Sequence, residues 1–293
     1  MKRRPHGIRL VSICVSLAIV PTASVAAQQV AAQSVALQPA ATRTTSDTSA
    51  PHTGILNRRD AITAAAFVLG TAAVMPLDRH IAVESQRQSL QNKTALRHTM
   101  TGIRVLGEPG SIIIAGATYV YGRAEDSPRS AELGLRTIES IGAAGLTTVV
   151  IKAFAGRGRP YVSSDTNPHL YKFGRGFHDD NYTSFPSGHV TTAFAAASAA
   201  SQEIGYLWPH ASHLWTPVLF TSASLVGVAR IYEDKHWASD VVAGAAVGTL
   251  VSRVVVRYAR AHPRNAIDRW LLPVGVSQMS GGRGMAVAWN YKW

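Results

Sequence analysis

Ser184-Phe185-Pro186-Ser187-Gly188-His189 runs directly into Val190-Thr191-Thr192-Ala193-Phe194-Ala195, a stretch that is apolar and made of mostly small side chains. Proline and glycine shape a tight turn. The helix predicted to follow directs its unpaired N–H groups and positive dipole end back at that turn, which makes a cradle for an anion. The Ser187 hydroxyl can bond an oxyanion there, and His189 is placed to donate a proton to a leaving oxygen. The plainer reading of the same residues is a helix start at Ser187 with a half-buried histidine.

Two further clusters flank this turn. Upstream lies Lys152-Ala-Phe-Ala-Gly156-Arg157-Gly158-Arg159-Pro160-Tyr161. Lys152 and Arg159 are about two helical turns apart, but Gly156 and Gly158 break the helix and free the guanidinium to swing into a pocket. Arginine suits bidentate contact with phosphate oxygens and lysine adds a point charge; a solvated basic loop is the alternative. Downstream lies Arg230-Ile-Tyr-Glu-Asp-Lys-His236-Trp-Ala-Ser-Asp240. On one helix His236 and Asp240 would share a face, the carboxylate holding one imidazole nitrogen and leaving the other free to attack. Arg230 is six residues before His236, roughly 240° round a helix, so a loop must intervene if both meet one ligand. An ordinary surface His/Asp contact is the competing reading.

Further outward the chain reads as helices at about 58–74, 78–104, 110–121, 130–155, 189–203, 214–231 and 237–261. The fold class is mostly α, and the abundance of Ala, Gly, Ser and Thr lets helix axes approach closely. A membrane span needs about 20 apolar residues. The charge-free runs are mostly shorter: 17 residues for Ala61 to Leu77 and 12 each for Ser140 to Ile151 and Val241 to Ser252. The run from Ile204 to Ala229 is interrupted by Trp208-Pro209-His210-Ala211-Ser212-His213. These lengths favour buried core helices, with a polytopic chain of weak spans as the competitor.

The termini differ from this body. Lys2, Arg3, Arg4 and Arg9 precede the apolar run Leu10 to Val20 and the small residues Ala23 to Ala27, which is the layout of an export signal over residues 1–27. Its removal would take four charges from a net +12 and leave +8, still basic. It would also remove Cys14, the sole cysteine, and with it any thiol chemistry. Residues 28–56, rich in Ala, Gln, Ser and Thr, read as a disordered linker. The helical domain is expected over 57–263. In the extension 264–293, Met285, Val287, Trp289, Tyr291 and Trp293 alternate at a strand period. Leu271 to Gln278 is the expected partner in a β-hairpin. The mean hydropathy of +0.06 fits a helical core diluted by a polar linker. The positive balance points to an anionic partner.

Taken together, the three clusters resemble the phosphatidic acid phosphatase type 2 (PAP2) superfamily, which includes bacterial class A non-specific acid phosphatases, lipid phosphatases and vanadium haloperoxidases. The family pattern K-x6-R-P matches Lys152, Arg159 and Pro160; P-S-G-H matches Pro186 to His189; S-R-x5-H-x3-D matches Arg230, His236 and Asp240, with Ala229 in place of the usual serine. The resemblance implies a helical bundle and a metal-independent, cofactor-free phosphatase. In it His236 would form a phosphohistidine, Asp240 would hold its ring and His189 would protonate the leaving alkoxide. Lys152, Arg159, Arg230, Ser187 and Gly188 would bind the phosphoryl oxygens. The leading expectation is an exported, periplasmic or secreted phosphomonoesterase acting on phosphorylated small molecules. The alternatives are a membrane-associated lipid phosphate or isoprenoid pyrophosphate phosphatase, a vanadate-dependent haloperoxidase, or a non-catalytic anion-binding protein. Nucleic acid is not an expected partner.

Overall fold

A computed structural model describes residues 56–263 and 265–272 and the backbone of two short strands, 274–278 and 285–289. The expected export signal at 1–27 and the expected linker at 28–56, apart from Leu56, lie outside the described residues, as do Tyr291 and Trp293.

The first helix, α1 (Arg58–Val74), begins with a reciprocal cap: the Asn57 side chain accepts from Asp60 N and the Asp60 carboxylate accepts from Asn57 N, both at 3.0 Å. The helix expected over 78–104 is three pieces: α2 (Asp78–Ser85), α3 (Gln88–Gln91) and α4 (Thr94–Val105). Its breaks fall in a run of polar side chains that bond carbonyls elsewhere. Gln86 and Gln91 donate through Nε2 to the Tyr232 carbonyl at 3.0 and 3.1 Å, and Gln91 also to the Ser85 carbonyl at 2.8 Å. After a distorted turn at Leu106–Gly110, in which Glu108 is extended, come α5 (Ser111–Ala124) and α6 (Pro128–Ala155). Then follow α7 (Gly188–Leu207), α8 (Pro209–Tyr232), α9 (Ala238–Ala261) and the short α10 (Ala266–Leu271). Prolines at the starts of α6 and α8 set those starts a few residues earlier than the apolar pattern does. Beyond α10, β1 (Val274–Gln278) and β2 (Met285–Trp289) pair antiparallel, Val276 opposite Val287.

The centre of the bundle is α7, which packs against α6, α8 and α9. Small residues permit this. A Cβ on Gly244 would lie 2.6 Å from the Ser187 carbonyl oxygen, and one on Gly248 would lie 2.4 Å from that of Thr191. These two glycines, one turn apart on α9, therefore let the backbone of α9 sit directly against the start of α7. Thr148 of α6 donates to Thr191 at 3.1 Å in the same buried layer. At the periphery, Arg257 of α9 grips Asp60 of α1, and Arg136 of α6 grips Asp268 of α10.

The expectation of buried core helices is overturned by where the apolar side chains point. Val68 and Leu69 of α1, Ile113 and Ile114 of α5, Leu146 and Val149 of α6, and Leu225 and Val228 of α8 are all exposed. Among the described residues four segments, Arg58–Ser85, Pro128–Ala155, Pro209–Tyr232 and Ala238–Ala261, are long and apolar enough to cross a membrane, and only 6% of the apolar window in the first is buried. Counting uninterrupted charge-free runs understates such segments, because charged residues near their ends shorten the run without lowering the hydropathy of the middle.

Candidate active site

The residues of the three sequence clusters meet where α6 ends and α7 and α9 begin. The last turn of α6 carries Lys152. Gly156 ends the helix with φ +58°, and a Cβ there would also lie 1.8 Å from the Lys172 carbonyl oxygen, so both the backbone conformation and the space require glycine. The chain beyond is laced to its neighbours. Gly158 N donates to Leu170 O at 2.8 Å, Ser184 N to Arg157 O at 3.0 Å, Trp237 Nε1 to Gly158 O at 2.9 Å, and Ser187 N to Asp240 O at 3.0 Å. Segments up to 79 residues apart are thereby fixed into one frame.

Within that frame a cavity of about 530 Å³ is lined on one side by Lys152, Arg159, Gly188, His189, Arg230 and His236. Each cation has an oxygen partner. Lys152 Nζ donates to the Thr183 carbonyl; Arg159 Nη2 reaches Asp180 Oδ1 at 3.2 Å and Thr183 Oγ1 at 3.0 Å; Arg230 pairs with Glu233, which also takes Arg104 Nε at 3.2 Å. Burial opposes ionisation of Asp180, but the hydrogen bond from Thr183 and the charge of Arg159 hold its carboxyl below the usual range. Asp179 Oδ1 accepts from Asn181 N at 3.1 Å, beside the Asp180 that holds Arg159. Ser187 and Asp240 lie behind the cavity wall, fully buried. Ser187 Oγ has no hydrogen-bond partner among the described residues.

His236 is buried, and desolvation lowers its pKa to about 3, so the ring is neutral near pH 7. Its Nδ1 lies 2.8 Å from the Ser184 carbonyl oxygen. A carbonyl only accepts, so Nδ1 carries the proton and Nε2 keeps its lone pair. The sequence pattern had Asp240 take this role by helical spacing. Asp240 Oδ2 is instead 3.8 Å from Nδ1, within ion-pair range but beyond a hydrogen bond. The reason is local: α9 begins at Ala238, so His236 precedes the helix and the four-residue face does not apply. The Asp240 carboxylate accepts instead from Trp237 N at 2.9 Å, Ser184 Oγ at 2.5 Å and Arg157 Nη1 at 2.6 Å. It therefore positions His236 through the Trp237 N–H next to it and through Ser184, whose carbonyl accepts from Nδ1.

His189 faces the cavity from the first turn of α7. Burial, reinforced by the charge of Arg230, lowers its pKa to about 4.

Three residues in the site are not visible as site residues in the sequence. Arg157 is fully buried between Asp240 and Asp78, with Nη2 2.8 Å from Asp78 Oδ2. Asp78, at the start of α2, also accepts from Ser239 N at 2.8 Å. Glu108 accepts from Thr192 Oγ1 at 2.8 Å and sets Oε2 3.5 Å from His189 Nδ1. The basic character of the 152–161 segment was the one available hint for Arg157; Asp78 and Glu108 carry no local signal.

Residues 133–264 match the PAP2 superfamily. The lipid A 1-phosphatase of Porphyromonas gingivalis is 41% identical over 99 residues, which is 33% of this chain and 21% of that protein. The chain thus aligns with about a fifth of that relative's length. Among solved structures, a transmembrane PAP2 type phosphatidylglycerolphosphate phosphatase from Bacillus subtilis is 25% identical, with a TM-score of 0.48 over 71% of this chain and 95% of that one. LpxE of Aquifex aeolicus is 22% identical, with a TM-score of 0.44 over 64% and 96%. The three motifs that are drawn to one cavity all lie inside the segment that matches the PAP2 superfamily.

Proposed function

We propose that this chain is a membrane-embedded phosphatase that hydrolyses the phosphate monoester of a lipid phosphate through a phosphohistidine intermediate. The observation that carries the reading is the placement of the cavity: Lys152, Arg159, Arg230 and two neutral histidines gather at the ends of helices whose outward side chains are apolar. That environment favours a lipid substrate over the soluble phosphomonoester first expected, and the curated lipid A 1-phosphatase relative supports it.

The phosphoryl oxygens are held by Lys152, Arg159, Arg230 and the Gly188 N–H, with the buried Ser187 hydroxyl adjoining. His236 Nε2 attacks phosphorus in line, forming a P–N bond as the P–O bond to the alcohol breaks. His189, whose proton affinity rises as the phosphate anion offsets Arg230, takes up a proton as substrate binds and passes it to the departing alkoxide, which leaves the imidazole neutral. Water then attacks phosphorus with His189 as base, the P–N bond breaks, and phosphate and a neutral His236 are released. Glu108 orients His189, and Arg157 with Asp78 orients Asp240.

The test is the full chain purified in detergent, assayed for phosphate release from a lipid phosphate. His236→Ala should abolish turnover and the base-stable phosphoenzyme formed by wild type. Turnover within a few-fold of wild type would overturn the proposal.

A further inference from the structure

The walls of the catalytic cavity differ in kind. Opposite in chemistry to the cations and histidines, Val149, Val150 and Phe154 of α6 and Phe177 of the following loop also line it. This wall is not closed off. Phe177 meets Phe154 edge-on at 5.1 Å, and Phe173, 83% exposed, packs on Phe154 at 5.9 Å. Back along α6 the same apolar character continues through Val150 and Val149 to Leu146, 69% exposed, at the spacing of one helix face. From Leu146 to Phe154 this strip runs about 12 Å.

A ligand that satisfies both walls at once is anionic at one end and hydrocarbon at the other. A small polar phosphate ester would reach the cations and leave the strip uncovered. We propose that Val149, Val150 and Phe154 with Phe177 and Phe173 form a subsite for the part of the substrate's hydrocarbon chain nearest the phosphoryl group. The proposal rests on the lipid-phosphate reading above and adds the surface that selects the chain. Strip residues and Lys152 share α6, so seating a chain on the strip brings the attached phosphoryl group to the lysine.

The experiment measures kcat/KM of the full chain in detergent for monoalkyl phosphates from ethyl to octyl, all monodisperse in the assay. Each methylene buried is worth about a four-fold gain at most, so wild type should rise severalfold per added methylene. Val149→Ser and Phe177→Ala should flatten that rise, whereas Val68→Ser, an equal loss of apolar surface on α1 away from the cavity, should retain it. A wild-type rise that persists unchanged in Val149→Ser and Phe177→Ala overturns the subsite and leaves the lipid reading intact. A wild type that cleaves ethyl phosphate with no rise at all overturns the lipid reading itself.

Discussion

Replacing Arg157 with methionine keeps most of the side-chain volume and removes the charge that joins three parts of the chain. In the native protein Arg157 is fully buried. Its Nη1 reaches Asp240 Oδ1 at 2.6 Å and Ser239 Oγ at 2.7 Å, and its Nη2 reaches Asp78 Oδ2 at 2.8 Å and the Pro168 carbonyl at 2.9 Å. Arg157→Met leaves two buried carboxylates without their shared cation. Breaking one buried pair by removing a partner costs about 3–5 kcal/mol, and here a carbonyl also loses its donor, so the upper half of that range is expected. At about 2–4 °C per kcal/mol for a chain of this size, the midpoint should fall by roughly 8–20 °C. Tryptophan fluorescence in detergent follows it well, because the Trp237 ring lies 5.4 Å from the guanidinium. Adding Asp78→Asn to Arg157→Met removes one of the stranded charges, so the double variant should be less unstable than the sum of the singles by about 1–3 kcal/mol. A midpoint within about 3 °C of wild type for Arg157→Met, or strictly additive losses, would refute the idea that this network holds Asp240 in place.

Glu108→Gln should slow hydrolysis of alkyl phosphates about ten-fold or more and leave p-nitrophenyl phosphate nearly unaffected, since a nitrophenolate leaves without protonation; equal losses on both would show simple structural damage. The folded His236 pKa of about 3 lies below its unfolded value near 6.5, so the unfolded chain gains a proton first as pH falls. Stability due to this group is full above pH 6.5 and declines by about 1.4 kcal/mol per unit below it. Denaturation at pH 7 and pH 5 should therefore show wild type losing about 2 kcal/mol more than His236→Asn. Gly244→Ala would gain about 1 kcal/mol from helix propensity alone, but its methyl would meet the Ser187 carbonyl. A net loss of about 1–3 kcal/mol, with reduced turnover, is expected, and a gain in stability would disprove the close contact. Finally, alkaline carbonate washing should leave the chain in the membrane pellet, and its release into the supernatant would contradict the exposed apolar faces as bilayer contacts.

Helix positions were legible because periodicity and breakers act locally. Gly156 marks the end of α6 that the structure confirms. The three clusters were legible for the same reason: each is a contiguous run at a helix end, and the structure brings Lys152, Arg159, Gly188, His189, Arg230 and His236 to one cavity. Where the local rule was stretched it failed. His236 and Asp240 were treated as one helix face, although the cap at Trp237 places His236 outside the helix.

The amino-acid sequence by itself determined a mostly helical chain, its turn chemistry and the basic and histidine residues that line the cavity, since all of these depend on neighbours within a few positions. Only the tertiary structure decided that the apolar faces of α1, α6 and α8 point outward, because a hydrophobic stripe has the same period whether a core or a bilayer covers it. It alone also decided the partners of the site. Asp78 meets Arg157 across 79 residues and Ser239 across 161, and Thr192 meets Glu108 across 84. A buried carboxylate needs a donor at hydrogen-bond distance, and over such separations chain folding, rather than sequence spacing, supplies it.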